Sequence, residues 1–378
     1  MTTDYWTRGL AQASHITAEL HQLDGEYDLN FLAQGADGHE HIVKVMRPGC
    51  APELIDLQIR ALEHIAAKAP DLPLPAVIRT KDGAAFAEVA DADGQTRLIW
   101  VLSKLPGRCY ARVAPKGLDL IQQVGGILGG TAQALADFDH PGLARRFKWN
   151  LMQADWIADE LTCVEDPARR TIISQIAQEF SHIKPALAAL PEQAIHNDAN
   201  DYNILVDGRM GQTLSVSGLI DLGDMCAAPR ICDLAIAAAY VVLDHDHPQR
   251  ALGALIKGYH AANPLSPAEV DLLWPLLRAR LAVSVVNSTL MARENPDDPY
   301  VTISQAPAWR FLERASVDPA RVRARLRAAC GLPVVDGAEQ ILAWLDIARG
   351  NFAPLMDGDL AKAPLGPLSV EHSAEPQD

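Results

Sequence analysis

The residue types that could carry out chemistry are concentrated in one segment, residues 194–224. Asp198 lies two residues after a histidine and five before Asn203, and Asp221 follows two short strand-like runs. A carboxylate such as Asp198 can orient an attacking hydroxyl group and accept its proton. The amide oxygen of Asn203 and the carboxylate of Asp221 are hard ligands that suit Mg²⁺. The pattern H-x-D-x-x-x-x-N followed by D-x-G therefore predicts metal-assisted phosphoryl transfer.

Two predicted strands would position these groups. The runs 204–206 and 216–220 are rich in aliphatic residues and flank a turn, so they predict a β-hairpin. Asn203 comes just before the first strand and Asp221 just after the second. The hairpin would therefore project both ligands toward one cleft, and Gly223 would let the backbone turn sharply after Asp221.

A lysine that holds nucleotide phosphates is predicted upstream. Lys44 lies within the strand-like run 39–46, and apolar residues recur at helical spacing over about 51–68. In a kinase fold this lysine pairs with a glutamate of the following helix, and Gln58 occupies the aligned position. A glutamine could hydrogen-bond Lys44 but would supply no charge. The segment around Leu102 is predicted to contact the adenine or guanine base.

The surrounding elements indicate an α+β fold that resembles the bilobal protein-kinase-like architecture. Five antiparallel strands (30–34, 39–46, 76–80, 84–89 and 95–102) and one helix would form a small N-lobe. From about residue 117 the pattern is mainly helical, except for the catalytic hairpin. We predict a nucleotide-binding lobe over 1–102, a catalytic and acceptor-binding lobe over 103–358, and a disordered tail over 359–378.

Composition excludes several classes of protein. The 378 residues contain 33 Lys and Arg against 48 Asp and Glu, a net charge of −15, which argues against nucleic-acid or anionic-membrane partners. Six scattered cysteines without a C-x-x-C pair argue against a zinc site. The longest apolar stretch, Leu234–Leu243, is too short to span a membrane. We expect a cytoplasmic protein.

Taken together, the motifs resemble those of a known protein family. The runs HNDANDYNILV (196–206), SGLIDLGDM (217–225) and PRICDLA (229–235) resemble the aminoglycoside phosphotransferase/choline kinase superfamily, and within it hydroxylysine kinases and their bacterial relatives. The resemblance extends to about residue 355. Many antibiotic kinases of the superfamily have glycine at the position of Asn197, and Leu222 replaces the commoner phenylalanine.

The resemblance implies a kinase that uses Mg²⁺ and transfers the γ-phosphoryl group of GTP or ATP to an amino alcohol. Hydroxylysine kinases favour GTP, and 5-hydroxy-L-lysine is the first acceptor to test. Asp198 would accept the proton, Asn203 and Asp221 would hold the metal, and Lys44 would clamp the phosphates. Homoserine, choline, ethanolamine or an aminoglycoside are alternative acceptors. A nucleotide-binding pseudoenzyme is a third possibility, supported only by the absent glutamate partner of Lys44.

Five residues are candidates for binding the acceptor. Asp224 could bind an ammonium group, and Arg230 could bind a carboxylate or form a structural ion pair. Glu294, Tyr300 and Trp309 lie in a segment that also resembles hydroxylysine kinases, although Trp309 could equally belong to the core.

Two other features are better explained by structure than by chemistry. Asp233, which precedes an apolar helix, is predicted to cap that helix or to brace the catalytic loop. The glycine-rich run 125–130 is predicted to allow close helix packing, because no strand precedes it.

Overall fold

The computed structural model describes residues 3–23, 25, 28–208, 213–243, 245–294, 305–314 and 317–352 of the chain. The chain forms two units, Met1–Pro115 with Gly130–Phe147 and Glu192–Asp233, and Lys116–Gly129 with Lys148–Pro191 and Leu234–Asp378. The predicted lobe boundary after residue 102 stays a prediction, and the predicted tail lies outside the described residues.

The first unit contains a six-stranded antiparallel sheet. Its strands are β1 (Ala18–Leu23), β2 (Leu29–Gly35), β3 (Glu40–Val45), β4 (Val77–Ile78), β5 (Ala87–Ala90) and β6 (Thr96–Ser103). The strand order is β1-β2-β3-β6-β4, and β5 also pairs with β6. All five predicted strands are confirmed. The sixth, β1, escaped prediction because only Ala18 and Leu20 of its six side chains are buried.

Two helices accompany this sheet, α1 (Thr3–Ala13) and α2 (Pro52–Lys68). The prediction of α2 is confirmed, and Pro52 suits its first turn because proline has no N–H to lose there. Its apolar face packs in a core that includes Trp100 and Leu102 of β6. The additional helix α1 was not predicted, since it is anchored by only two large buried side chains, Trp6 and Leu10.

The β-hairpin predicted from the runs 204–206 and 216–220 is confirmed in the same unit. Strands β7 (Arg108–Cys109), β8 (Glu192–Ile195), β9 (Ile204–Asp207), β10 (Ser215–Leu219) and β11 (Cys226–Pro229) form two small sheets. In one of them β9 lies between β10 and β7, and in the other β8 pairs with β11. Because β9 and β10 are antiparallel, the start of β9 lies beside the end of β10.

The remaining helices build the second unit, to which α3 and α5 each contribute part of their length. They are α3 (Leu118–Ala134), α4 (Pro167–Ala188), α5 (Ile231–Val241), α6 (Pro248–Ala262), α7 (Pro267–Glu294), α8 (Gln305–Arg314), α9 (Pro319–Ala329) and α10 (Ala338–Phe352). Among the residues described, no helix is long and apolar enough to cross a membrane.

Glycines permit a close contact between α3 and α6. A Cβ atom at Gly125 would lie 2.0 Å from the carbonyl oxygen of Leu255, and one at Gly258 would lie 1.9 Å from that of Gln122. Neither helix could tolerate even alanine there without moving apart. The interpretation of the glycine-rich run as a packing feature is therefore confirmed.

Candidate active site

The carboxylate of Asp198 is oriented by two asparagine side chains. Asn200 Nδ2 donates to its two oxygens at 3.1 and 3.0 Å, and Asn203 Nδ2 donates to Oδ2 at 2.8 Å. Asn203 Nδ2 also donates to the main-chain oxygen of Asp198 at 2.8 Å. Asp198 is only partly buried, so its carboxylate is fixed in direction and accessible to a small molecule.

The hairpin joins Asn203 to Asp221. The Ile220 N–H donates to the Asn203 carbonyl oxygen at 2.9 Å, which places Asp221 next to Asn203 across the two strands. Within the described residues, Asn203 Oδ1 and Asp221 Oδ2 accept no hydrogen bond. An amide oxygen and a carboxylate oxygen left available in this way fit Mg²⁺, which takes few protein ligands and completes its shell with phosphate and water.

Lys44 of β3 forms an ion pair with Asp221. Lys44 Nζ lies 3.0 Å from Asp221 Oδ1, and the two side chains are 14% and 44% exposed. The lysine charge lowers the pKa of Asp221, an effect opposed by partial burial and reinforced by hydrogen bonds from Lys44 and the Gly223 N–H. Asp221 is therefore ionised at neutral pH and able to bind a cation.

The predicted contact between Gln58 and Lys44 is not among the described hydrogen bonds. Gln58 Nε2 instead donates to the Leu54 carbonyl oxygen of its own helix at 3.1 Å. Gln58 is buried, and its Oε1 lies 4.0 Å from the position of a Cβ on Gly223.

Leu102, the predicted contact of the nucleotide base, pairs with Ile42 in the sheet, and its side chain lies in the core.

A buried aspartate braces the catalytic loop. Asp233 Oδ2 and Oδ1 accept the main-chain N–H groups of His196 at 3.1 Å and Asn197 at 2.8 Å. His196 Nε2 contacts the Ile220 carbonyl oxygen at 3.0 Å, and its Nδ1 accepts the Asp198 N–H at 3.2 Å. Burial raises the pKa of Asp233, while His196 and the two N–H groups oppose that rise. The predicted bracing role is confirmed, whereas the alternative that Asp233 precedes and caps the helix is wrong, because Asp233 lies inside the first turn of α5.

Two residues near the proposed site have backbone angles that side chains disfavour. Asn197 (φ +64°) and Asp221 (φ +65°) are the non-glycine residues with positive φ in the described part of the chain. Asparagine tolerates this conformation better than most residues, which explains why Asn197 can replace a glycine. Aspartate shares part of this tolerance, and non-glycine residues in the left-handed region cluster at functional sites.

Among the acceptor-site candidates, Asp224 lies three residues after Asp221, the predicted metal ligand. Arg145 Nη2 donates to the Gly223 carbonyl oxygen at 2.7 Å and to Asp224 Oδ1 at 3.3 Å. Sequence reasoning missed Arg145 because it lies in an irregular segment without a motif. The pair of adjacent arginines, Arg145 and Arg146, is no specific signal, because Arg169 and Arg170 form a second such pair.

The other candidates are more scattered. Arg230 belongs to the first unit and lies between β11 and α5. Glu294, at the end of α7, and Trp309, in α8, belong to the second unit. Trp309 is buried, and the Arg169 guanidinium lies 4.9 Å from its ring centre. Tyr300 lies outside the described residues. The structure thus brings Lys44, Asp198, Asn203, Asp221 and Asp224 together in the first unit.

The fold and this arrangement define a phosphotransferase of protein-kinase-like architecture. Residues 19–273 match the phosphotransferase enzyme family (APH). The chain therefore belongs to this family, and the predicted enzyme class, a phosphotransferase with an alcohol group as acceptor, is confirmed. Similar curated proteins include the hydroxylysine kinase of Mus musculus, 27% identical over 293 residues that cover 74% of this chain and 77% of that protein. The hydroxylysine kinase of Danio rerio is 25% identical over 298 residues, which cover 76% and 83%.

Solved structures confirm the predicted fold. The amicoumacin kinase hAmiN, determined with AMP-PNP, Ca²⁺ and Ami, aligns with a TM-score of 0.62 at 15% identity, covering 84% of this chain and 94% of that one. A microcompartment-associated aminopropanol kinase aligns with a TM-score of 0.56 at 18% identity, covering 88% and 100%.

Proposed function

We propose that the protein transfers the γ-phosphoryl group of GTP or ATP to the hydroxyl group of an amino alcohol, 5-hydroxy-L-lysine. One observation is the main support for the proposed reaction. Asn203 bonds Asp198 through its side chain and Ile220 through its main chain, so hydrogen bonds connect the proposed proton acceptor to the segment that carries both proposed metal ligands. The similarity to hydroxylysine kinases supports the choice of acceptor.

In this proposal Asp198 aligns the acceptor hydroxyl group and takes its proton as the oxygen attacks the γ-phosphorus. The bond from the γ-phosphorus to the bridging oxygen then breaks, and the nucleoside diphosphate leaves. Such general-base assistance contributes about 10²- to 10⁴-fold to the rate. Asn200 and Asn203 hold the carboxylate in one orientation, which reduces the entropy lost in reaching the reactive geometry.

Asp221 and Asn203 would hold Mg²⁺, which when bound neutralises charge on the β- and γ-phosphates. Lys44 would contact the α- and β-phosphates. Among the described contacts its ammonium group uses one hydrogen bond, to Asp221. A lysine ammonium carries three N–H donors, so two remain for phosphate oxygens.

An acceptor panel tests the proposal. Purified protein with Mg²⁺ and either GTP or ATP is assayed for nucleoside diphosphate release with 5-hydroxylysine, homoserine, choline, ethanolamine and kanamycin. Asp198→Asn serves as the blank, and Asp207→Asn, an exposed aspartate of β9, as the matched control.

We expect acceptor-dependent release with 5-hydroxylysine in the wild type and in Asp207→Asn only. Release with another acceptor alone would keep the reaction and overturn the choice of substrate. Nucleotide binding without release for any acceptor would contradict the proposed reaction.

A further inference from the structure

We propose that Arg145 and Asp224 together bind the α-carboxylate and α-ammonium groups of the acceptor, so that the enzyme selects amino-acid alcohols over amino alcohols without a carboxylate. This inference rests on the proposed function and names the part of the site that would recognise the acceptor. Arg145 thereby receives a role in acceptor binding, although it belongs to no recognised sequence motif.

The position of Arg145 is set by Gly223. The Gly223 N–H donates to Asp221 Oδ1 at 3.2 Å, and the Gly223 carbonyl oxygen accepts from Arg145 Nη2 at 2.7 Å. A single glycine therefore links the proposed metal ligand to the guanidinium group. Arg145 therefore lies next to the proposed phosphate site, although none of the described hydrogen bonds joins it to Asp221.

The guanidinium group has donors that the described residues do not use. Its described hydrogen bonds involve Nη2 only, Nε is buried without a partner, and Nη1 donates to no described residue. The guanidinium carbon lies over the Phe147 ring, 4.4 Å from its centre. A carboxylate oxygen at Nη1 would use part of this unused capacity through a charge-assisted hydrogen bond.

The neighbouring charges favour an amino-acid head over a phosphate group. Asp224 Oδ1 lies 3.3 Å from Arg145 Nη2, and its side chain is 37% exposed. A carboxylate at this place repels a phosphate but attracts an ammonium group. Because an α-amino acid carries its ammonium and carboxylate groups on one carbon, adjacent negative and positive side chains complement it. Arg47 is close enough to act electrostatically on Arg145 and adds positive potential for the carboxylate.

A matched pair of acceptors tests this inference. 5-Hydroxylysine and 1,5-diaminopentan-2-ol differ only by the α-carboxylate, and kcat/KM is measured for each with the same nucleotide. We expect the wild type to prefer 5-hydroxylysine by roughly 10- to 100-fold, the gain typical of a charge-assisted hydrogen bond. Arg145→Met should reduce this ratio to near one, and Arg145→Lys, which keeps the charge, should retain part of it.

Arg146→Met is the matched control, because Arg146 is exposed and adjacent in sequence. It should keep the wild-type ratio. If Arg145 only supports the Gly223 loop, Arg145→Met will lower kcat/KM for both acceptors and leave their ratio unchanged, which overturns the inference. A wild type that uses both acceptors equally also overturns it while leaving phosphoryl transfer intact. Turnover of neither acceptor contradicts the proposed function itself.

Discussion

Two regions of the first unit meet at Asp221, and they are held in different ways. In the catalytic segment, His196, Asp198 and Asn203 are joined by hydrogen bonds to one another, to Ile220 and to the buried Asp233. In the lysine region, the described side-chain partner of Lys44 is Asp221, and Gln58 of α2 bonds to its own helix.

This difference indicates how the site is organised. We expect the catalytic segment to keep its geometry without nucleotide, because hydrogen bonds involving Asp233, His196 and Asn203 already hold its loop. Lys44, in contrast, takes its position from an aspartate that would also bind the metal. In a kinase fold, a glutamate of the helix would hold the lysine through its charge. Here the aligned residue is Gln58, so Asp221 is the described residue that pairs with the lysine charge. We therefore expect large effects from changes in the catalytic segment and small ones from changes at Gln58.

The largest effect is expected for Asp198→Asn. Replacing the proton acceptor with an amide should lower kcat by about 10²- to 10⁴-fold. Nucleotide affinity, measured by calorimetric titration, should stay nearly the same because Lys44 and Asp221 are untouched. Asp207→Asn should behave as the wild type in both assays, and turnover of Asp198→Asn within tenfold of the wild type would exclude the catalytic role.

A smaller effect, on stability, is expected for Asp233→Ala. The N–H groups of His196 and Asn197 would remain buried without an acceptor, each costing about 1–3 kcal/mol. Removing a buried carboxylate recovers part of its desolvation cost, so the net loss should be about 1–3 kcal/mol in urea unfolding. Asp246→Ala, at an exposed aspartate, should change stability by less than about 0.5 kcal/mol. Equal stability of the two variants would refute the bracing role.

The next effect concerns the backbone of Asn197. At φ +64°, the substitution Asn197→Ala should lower the free energy of unfolding by about 1–2 kcal/mol, whereas Asn197→Gly should avoid this penalty. Both side-chain polar atoms of Asn197 are buried without partners in the described structure, so neither variant loses a described hydrogen bond there. Thermal unfolding should therefore rank Asn197→Gly above Asn197→Ala, and the opposite order would show that the side chain matters more than the backbone.

The smallest effect is expected for Gln58→Met. Methionine has a similar volume, and the described bond it removes lies within α2. The nucleotide KM should rise by less than about threefold, while Lys44→Met should raise it by more than tenfold, since a charge-assisted phosphate contact is worth about 1.5–3 kcal/mol. Similar increases for both variants would mean that Gln58 does hold Lys44 during catalysis.

Much of this site follows from sequence because its parts are close along the chain. Asp198, Asn203 and Asp221 are joined by one loop and one hairpin, so their spacing and strand pattern predict that they meet. Lys44 and Asp221 are 177 residues apart, and only the resemblance to the kinase fold predicted that both belong to one site. Local periodicity carries no information on such a contact.

The remaining contacts depend on packing that a sequence pattern does not encode. The resemblance to the kinase fold aligned Gln58 of α2 with the glutamate that pairs with the lysine, but the direction of its amide group depends on side-chain rotamers. Arg145 lies in an irregular segment, and its contact with Gly223 spans 78 residues. Neither hydrophobic periodicity nor turn chemistry predicts where such a side chain points.

The most direct test of the central claim is a phosphorus-31 NMR measurement of the complete reaction with 5-hydroxy-L-lysine, Mg²⁺ and GTP. We predict a new phosphomonoester signal that grows in equal amounts with GDP and is absent with Asp198→Asn. GDP with inorganic phosphate and no phosphomonoester, or a signal undiminished in Asp198→Asn, would contradict the account.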